Sequence, residues 1–136
     1  GKERYFLLAL DGDKIIGKPH THREAVKQLQ HAAELRWVNS LTGLGLWDSA
    51  NHGYHYECVA TQVKFRPLSL AQIEWYLKQD PQAYYCAGAL RIEALGISLV
   101  EEVVSSDTTA LIGLPLIKLI SLLNRQGIYL ENCVAS

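Results

Sequence analysis

The chain has 136 residues, of which 49% are apolar and 20% charged, and its 13 Lys and Arg nearly balance 14 Asp and Glu. This length predicts one domain over residues 1–136 that buries its core without disulfide or metal staples. The balanced charge gives no basic footprint for nucleic acid or for an anionic membrane surface, and no apolar run is long enough to span a bilayer. Composition favours a soluble globular protein and leaves its activity open.

Three cysteines, Cys58, Cys86 and Cys133, are far apart, and no two of them form a C-x-x-C pair. An odd number of widely spaced cysteines is typical of a reducing compartment and argues against a disulfide framework or a zinc site. We therefore expect a cytoplasmic protein. Cys86 has no nearby His to activate it, so we predict a small, buried and unreactive side chain.

The first predicted elements are two short strands followed by a helix. Residues 5–10 form an apolar run, and the Asp-Gly turn signal after it predicts a hairpin in which residues 15–16 pair back. Thr21 followed by Glu24 matches a capping box, which predicts a helix that begins there and ends at about Leu35.

A β-rich stretch and a second helix follow. Residues 37–47 and residues 54–65 predict two longer strands, and the turn-forming segment between them predicts a hairpin. Ser69 and Gln72 form a second capping-box pattern, which predicts a helix that ends at Asp80-Pro81.

The last third of the chain predicts a loop, a strand and a helix. Small residues at 86–89 indicate a loop, and residues 97–104 indicate a strand. Pro115 suits a first helical turn and predicts a helix over Leu116–Arg125, with Gly127 as its C-cap. The order β-β-α-β-β-α-β-α, without repeats or linkers, predicts one mixed α/β domain.

The sequence motifs for a metal site and for dinucleotide binding are incomplete. His20 and His22 lie two residues apart, but no carboxylate or third His is suitably spaced, so we predict no metal site. The glycines of segment 43–45 fail the dinucleotide-binding fingerprint, and they predict close backbone packing instead.

Two segments carry candidate binding residues. Lys18, held between Gly17 and Pro19 just ahead of a predicted helix, suits an anionic ligand such as phosphate, and the alternative is a solvated lysine. Arg91 and Glu93 lie two residues apart in a glycine-bounded loop. This pair could contact the edge of a nucleotide base, and the alternative is a solvated surface ion pair.

Six segments together resemble the Maf family of nucleoside triphosphate pyrophosphatases, specifically the subgroup that prefers 7-methyl-GTP. They are Leu10-Asp11-Gly12 with Gly17-Lys18-Pro19; Thr42-Gly43; Val63 through Phe65-Arg66-Pro67-Leu68-Ser69; Cys86-Ala87-Gly88; Glu93 with Gly96-Ile97; and Leu111-Ile112-Gly113-Leu114-Pro115-Leu116. Their order and spacing, over residues 10–128, argue against chance similarity. The resemblance implies an α/β fold of the Maf and inosine-triphosphatase type, a mixed sheet with flanking helices.

The resemblance also implies an activity, a cofactor and binding residues. Family members hydrolyse the bond between the α- and β-phosphates of a nucleotide, with a divalent cation, Mg²⁺ or Mn²⁺. Lys18 matches the phosphate-side lysine of the family, and Glu93 matches the position that tunes base choice. With Arg91 beside it, we expect these residues to bind the substrate. The implied partner is a nucleotide, without nucleic acid or membrane, and the chain is a candidate homodimer.

Some family features have no counterpart in this sequence. Nothing matches the Ser-x-Ser-x-x-Arg phosphate loop, and the family's catalytic Asp falls on Tyr5 or Phe6, neither of which is a base. The literal Ser-Asp-Thr at residues 106–108 aligns with a turn. We therefore expect an N-terminally truncated Maf domain, its C-terminal two-thirds, with no catalytic or metal-binding residue assigned. The activity is then a pyrophosphatase or, alternatively, a non-catalytic nucleotide-binding module or a dimerising structural fragment.

Overall fold

A four-stranded sheet carries helices packed against one of its faces. The computed structural model describes residues 5–11, 17–112 and 114–133, with residues 5–11 and Cys133 as backbone only. The helices and strands are β1 (Tyr5–Asp11), α1 (His22–Leu35), β2 (Trp37–Asp48), β3 (Gly53–Phe65), α2 (Leu70–Gln79), β4 (Val100–Ser105), α3 (Leu116–Arg125) and α4 (Leu130–Cys133). Short 3-10 helices lie at Pro81–Tyr85, Ala87–Ala89, Leu95–Leu99 and Thr108–Leu111. The predicted α/β class is confirmed, and α4 is an element that the sequence patterns did not predict.

The strand order is β1-β2-β3-β4, and each of the three pairings is antiparallel. The short turn between β2 and β3 accounts for the antiparallel pairing of those two strands. β1 pairs with β2 from Tyr5 opposite Asp48 to Asp11 opposite Thr42. The expected pairing of β1 with residues 15–16 lies outside the described residues.

The predicted β2–β3 hairpin is confirmed, and its register separates two faces of the sheet. Pairing runs from Trp37 opposite Lys64 to Asp48 opposite Gly53. Alternate residues of β3 from Val59 to Phe65 are buried, and these define the inner face of the sheet. On the outer face a Cβ on Gly45 would lie 3.1 Å from Cε1 of Tyr54. This confirms the close packing predicted for segment 43–45.

Two apolar clusters cover the inner face. The larger one packs α1 and α2 against β3, and its buried members include Leu29, Ile73, Tyr76, Val63 and Phe65. The smaller one packs α3 against β2 through Leu44, Leu46 and Leu122. On β2 the polar residues Ser40 and Thr42 lie between the positions that contact these two clusters.

Local capping signals determine where the helices begin and end. Thr21 is the N-cap of α1 and accepts the Glu24 N–H, although the Glu24 carboxylate accepts the N–H of His20 rather than that of Thr21. The capping box of α2, between Ser69 and Gln72, forms in both directions. α3 ends in a Schellman motif with Gly127 at a φ of 80°.

The strand predicted over residues 97–104 is shorter than expected. Leu95–Leu99 forms a 3-10 helix, and β4 begins only at Val100. The cause is the packing of Gly96, whose N–H donates to the Arg91 carbonyl at 2.9 Å. An added Cβ on Gly96 would lie 2.4 Å from that same oxygen. This contact holds the chain in a turn where the apolar pattern alone indicates a strand.

Candidate nucleotide-binding site

A cavity of about 420 Å³ opens on the inner face of the sheet, beside the larger apolar cluster. Its floor combines polar and apolar side chains of β2 and β3, among them Val38, Ser40, Thr42, Val63 and Phe65. α1 and the segment after α2 supply walls. A pocket of this size with a few polar groups on an apolar lining suits a small organic ligand.

Lys18 and Glu93, which the sequence analysis selected separately, both line this cavity. Lys18 is exposed. Its position is determined by hydrogen bonds that the preceding residue, Gly17, accepts. The Gly17 carbonyl accepts the Gly88 N–H at 3.2 Å and the Gln28 side-chain amide at 3.1 Å. The segment that carries Lys18 is therefore fixed to α1 and to the Ala87–Ala89 turn.

Arg91, the third predicted site residue, lies beside the cavity and not among the residues that line it. Its Nη1 donates to Oδ1 of Asp80 at 2.8 Å, and its Nε lies 3.6 Å from Oε1 of Glu93. The Asp80 side chain is only 5% exposed, whereas that of Glu93 is 38% exposed. Arg91 thus contacts one buried and one accessible carboxylate.

Tyr76 holds the backbone that leads to Glu93. This fully buried side chain donates its hydroxyl hydrogen to the Ala89 carbonyl at 2.6 Å and accepts the Arg91 N–H at 2.9 Å. Burial raises the pKa of Tyr76 to about 12, so the phenol stays protonated and keeps its donor at neutral pH. The sequence patterns predicted only that this helix ends at Asp80 and indicated no role for Tyr76. The spacing of four residues between them was the one available signal that both lie on the same side of the helix end.

Cys86 also lines the cavity and is half-buried. Burial raises the pKa of its thiol, and the nearby Glu93 carboxylate raises it further, against the opposing effect of Arg91 and Lys18. A raised pKa keeps the thiol protonated, and a protonated thiol is a poor nucleophile. This agrees with the unreactive side chain predicted from the sequence, but the predicted burial is wrong, because the thiol faces the cavity instead of the apolar core.

The Ser-Asp-Thr segment at residues 106–108 forms a turn, as predicted. Asp107 is 1% exposed, and its carboxylate accepts the Thr109 N–H, the Thr109 hydroxyl and the Lys118 N–H at 3.1, 2.6 and 2.9 Å. Burial acts to raise the pKa of Asp107, but these hydrogen bonds outweigh it and the net shift is downward. The carboxylate therefore accepts a backbone N–H of the first turn of α3 and is not available to activate water.

The described residues contain no cluster of three typical metal ligands. In this part of the chain no three His, Cys, Asp or Glu side chains come together as a ligand set. His22, one of the pair weighed above, contacts Tyr84 and Glu74 through its two ring nitrogens. None of the described helices is long and apolar enough to cross a membrane.

The fold and the cavity define an α/β protein with a cavity lined by one cationic and one anionic side chain, Lys18 and Glu93. The sequence model of the family described as Maf-like protein matches residues 5–126, and the chain belongs to this family. The resemblance carried by the six sequence segments is thereby confirmed.

Curated relatives share this similarity over most of the chain. A Pseudomonas fluorescens protein named 7-methyl-GTP pyrophosphatase is 43% identical over 121 residues, which is 89% of this chain and 62% of that protein. Proteins with the same name from Pseudomonas syringae pv. tomato and Pseudomonas aeruginosa are 44% and 40% identical over 122 residues. The chain spans 62% of the length of each of these relatives.

Proposed function

We propose that this chain forms the nucleotide-binding part of a nucleoside triphosphate pyrophosphatase that acts on 7-methyl-GTP. The observation that carries the proposal is the presence of Lys18 and Glu93 on the wall of one cavity. Membership of the Maf-like family and similarity to proteins named 7-methyl-GTP pyrophosphatase support it. The reaction would release a nucleoside monophosphate and pyrophosphate.

Lys18 is the proposed phosphate ligand. An ammonium group is a compact point charge that suits phosphate oxygens, and an exposed lysine at the cavity reaches a ligand with little desolvation. The bonds of Gly17 to α1 and to Gly88 restrict the backbone beside it. This restriction lowers the entropy lost when the lysine engages the ligand.

Glu93 is the proposed base ligand, with Arg91 at its side. The 7-methylguanine base carries a positive charge and has hydrogen-bond donors on its edge. A carboxylate accepts such bonds and attracts the charge, so it favours 7-methylguanine over neutral guanine. Gln at this position would keep an acceptor but lose the charge.

Hydrolysis requires water to attack a phosphorus atom, and a base to take the proton of that water. The family resemblance implies that the position of the catalytic Asp falls on Tyr5 or Phe6, and neither side chain is such a base. This implied correspondence is the reason for a second candidate function, a nucleotide-binding module without turnover. A divalent cation would belong to the pyrophosphatase function only, and we assign no described residue to it.

Cellular location and assembly are part of the same proposal. A nucleotide substrate and the cysteine spacing favour the cytoplasm. Exposed apolar side chains on the outer face of the sheet, including Leu41, Tyr56 and Val104, favour a homodimer. Size-exclusion chromatography with light scattering distinguishes a dimer of the 136-residue chain from a monomer.

Two measurements test the proposed function. Titration calorimetry gives affinities for 7-methyl-GTP, GTP, dTTP and UTP, and a pyrophosphate-release assay with Mg²⁺ gives turnover. We expect Lys18→Ala to weaken 7-methyl-GTP binding about tenfold to a hundredfold, as for loss of a charge-assisted hydrogen bond. Lys27→Ala, which removes an exposed lysine of α1, is the matched control and should leave binding unchanged.

The outcomes separate the candidates. Turnover that Lys18→Ala abolishes supports the pyrophosphatase, and binding without turnover supports the module. Absence of both binding and turnover in the unmodified chain contradicts the proposal. Glu93→Gln should lower affinity for 7-methyl-GTP more than for GTP, and Glu34→Gln, an exposed carboxylate of α1, serves as its control.

A further inference from the structure

Arg91 makes hydrogen bonds through its N–H, its carbonyl and its guanidinium in the segment that carries Glu93. Its N–H donates to the Tyr76 hydroxyl at 2.9 Å, and its carbonyl accepts the N–H groups of Ala94 and Gly96 at 3.2 and 2.9 Å. Its guanidinium donates to Asp80 at 2.8 Å. The contacts with Tyr76 and Asp80 therefore hold both the backbone and the side chain of Arg91 against the C-terminal part of α2.

The Asp80 carboxylate needs this guanidinium. Asp80 is 4% exposed, and its Oδ2 is buried without a hydrogen-bond partner among the described residues. A buried carboxylate that is incompletely hydrogen-bonded depends strongly on the one cation it has, because losing that cation leaves an uncompensated charge. Asp80 consequently holds Arg91 toward α2.

Glu93 competes with Asp80 for the same guanidinium. The Arg91 Nε lies 3.6 Å from Oε1 of Glu93, farther than the 2.8 Å that separates Nη1 from Asp80. Without Asp80, Arg91 could turn to form a closer, bidentate pair with Glu93. Such a pair would occupy the carboxylate oxygens and neutralise their charge. With Asp80 present, the three side chains carry a net charge of −1, located beside the cavity.

We propose that Asp80, acting through Arg91, is a positioning residue that keeps the Glu93 carboxylate available and negatively charged for a cationic nucleobase. The inference rests on the proposed function, since it assumes that Glu93 contacts the base. It goes further by assigning base selectivity to a buried residue that lies outside the cavity lining, and it gives Arg91 an indirect part in binding.

The test measures the ratio of affinities for 7-methyl-GTP and GTP by titration calorimetry on the full 136-residue chain. Asp80→Asn keeps the shape of the side chain and removes its charge. We expect the preference for 7-methyl-GTP to fall about fivefold, the scale of one partly screened charge interaction, while GTP binding stays within about twofold. Glu74→Gln removes an exposed carboxylate from the same α2 helix and should not change the ratio.

A double-mutant cycle distinguishes positioning from general loss of structure. If Asp80 acts through Glu93, Asp80→Asn should leave the ratio unchanged in a Glu93→Gln background. Arg91→Lys keeps a positive charge for the buried Asp80 carboxylate but has no planar fork to bridge two carboxylates, so Glu93 should stay unpaired and the ratio should not fall. This second variant keeps the test available if Asp80→Asn does not fold.

The results that would overturn the inference are specific. A parallel loss of affinity for both nucleotides would assign Asp80 a structural role only. An equal effect of Asp80→Asn in the Glu93→Gln background would show that it does not act through Glu93. Tight 7-methyl-GTP binding with an unchanged ratio would reject this inference alone, whereas no nucleotide binding by the unmodified chain would reject both it and the proposed function.

Discussion

The N–H of Gly88 donates to the carbonyl oxygen of Gly17 at 3.2 Å, and this bond joins the two segments that carry the proposed nucleotide ligands. Lys18 follows one of these glycines, and the segment leading to Glu93 follows the other. Gly88 has a φ of 65°, a conformation that glycine adopts without the steric cost of a Cβ. The relative position of the two ligands therefore depends on a turn with positive φ at Gly88 and, at 60°, also at Ala89.

Gly88→Ala should disturb that geometry. We expect the free energy of unfolding to fall by about 1 kcal/mol, because alanine resists a positive φ, and 7-methyl-GTP binding to weaken as well. Urea denaturation and calorimetry measure the two effects. Gly17→Ala is the control, since a Cβ there has no neighbour within 4 Å and the acceptor carbonyl is retained. Equal effects of the two variants would contradict the prediction.

Tyr76→Phe tests the hydroxyl that holds the Ala89–Arg91 backbone. Removing it leaves the Ala89 carbonyl and the Arg91 N–H without this partner, at a cost of about 1–3 kcal/mol in the free energy of unfolding. Tyr56→Phe, at a tyrosine that is 70% exposed, should cost little. Urea denaturation of both variants at neutral pH measures the difference.

The same tyrosine gives a prediction for alkaline pH. The pKa of Tyr76 is raised from 10.0 in the unfolded chain to about 12 in the folded protein. Its contribution is fully present below pH 10 and is lost as the pH rises toward 12, since only the unfolded state then releases the proton. The stability difference between the unmodified chain and Tyr76→Phe should therefore narrow over this range. A difference that stays constant from pH 9 to 12 would contradict the assignment.

Asp107→Asn should destabilise the start of α3 at neutral pH and have less effect in acid. The folded-state pKa of Asp107 lies below its ordinary value of 3.8, so its contribution is present above that pH and is lost as the pH falls through the folded value. We expect a loss of about 1–3 kcal/mol at pH 7, as for a buried charged acceptor. Denaturation at pH 7 and pH 3 tests this, with Glu34→Gln as the control for charge alone.

Signals confined to a few residues predicted the fold well. The Ser69–Gln72 capping box, the β2–β3 hairpin and the Gly127 C-cap each depend on a short segment, and each is present in the structure. The pairing of β1 with β2 was not predictable in this way, because it joins residues that are 31 to 43 positions apart, from Asp11 opposite Thr42 to Tyr5 opposite Asp48.

The residues of the candidate site show the same difference between local signals and long-range contacts. Lys18 and Glu93 were identified from local pattern and family resemblance, and the structure places both on one cavity. Asp80 was not identified, because only the folded chain brings its carboxylate to the Arg91 guanidinium. The 3-10 helix at Leu95–Leu99 was missed for a similar reason, the contact of Gly96 with the Arg91 backbone.

Ser40 and Thr42 separate two apolar clusters of unequal size, and this inequality bears on the order in which the protein opens. α1 buries four side chains, whereas α3 buries only Leu122. Elements with few buried apolar contacts open locally at a lower free energy than the global unfolding transition. Amide hydrogens of α3 should exchange with solvent well before those of α1. The cavity floor on β2 and β3 and the cavity wall formed by α1 would then keep their shape while α3 is detached.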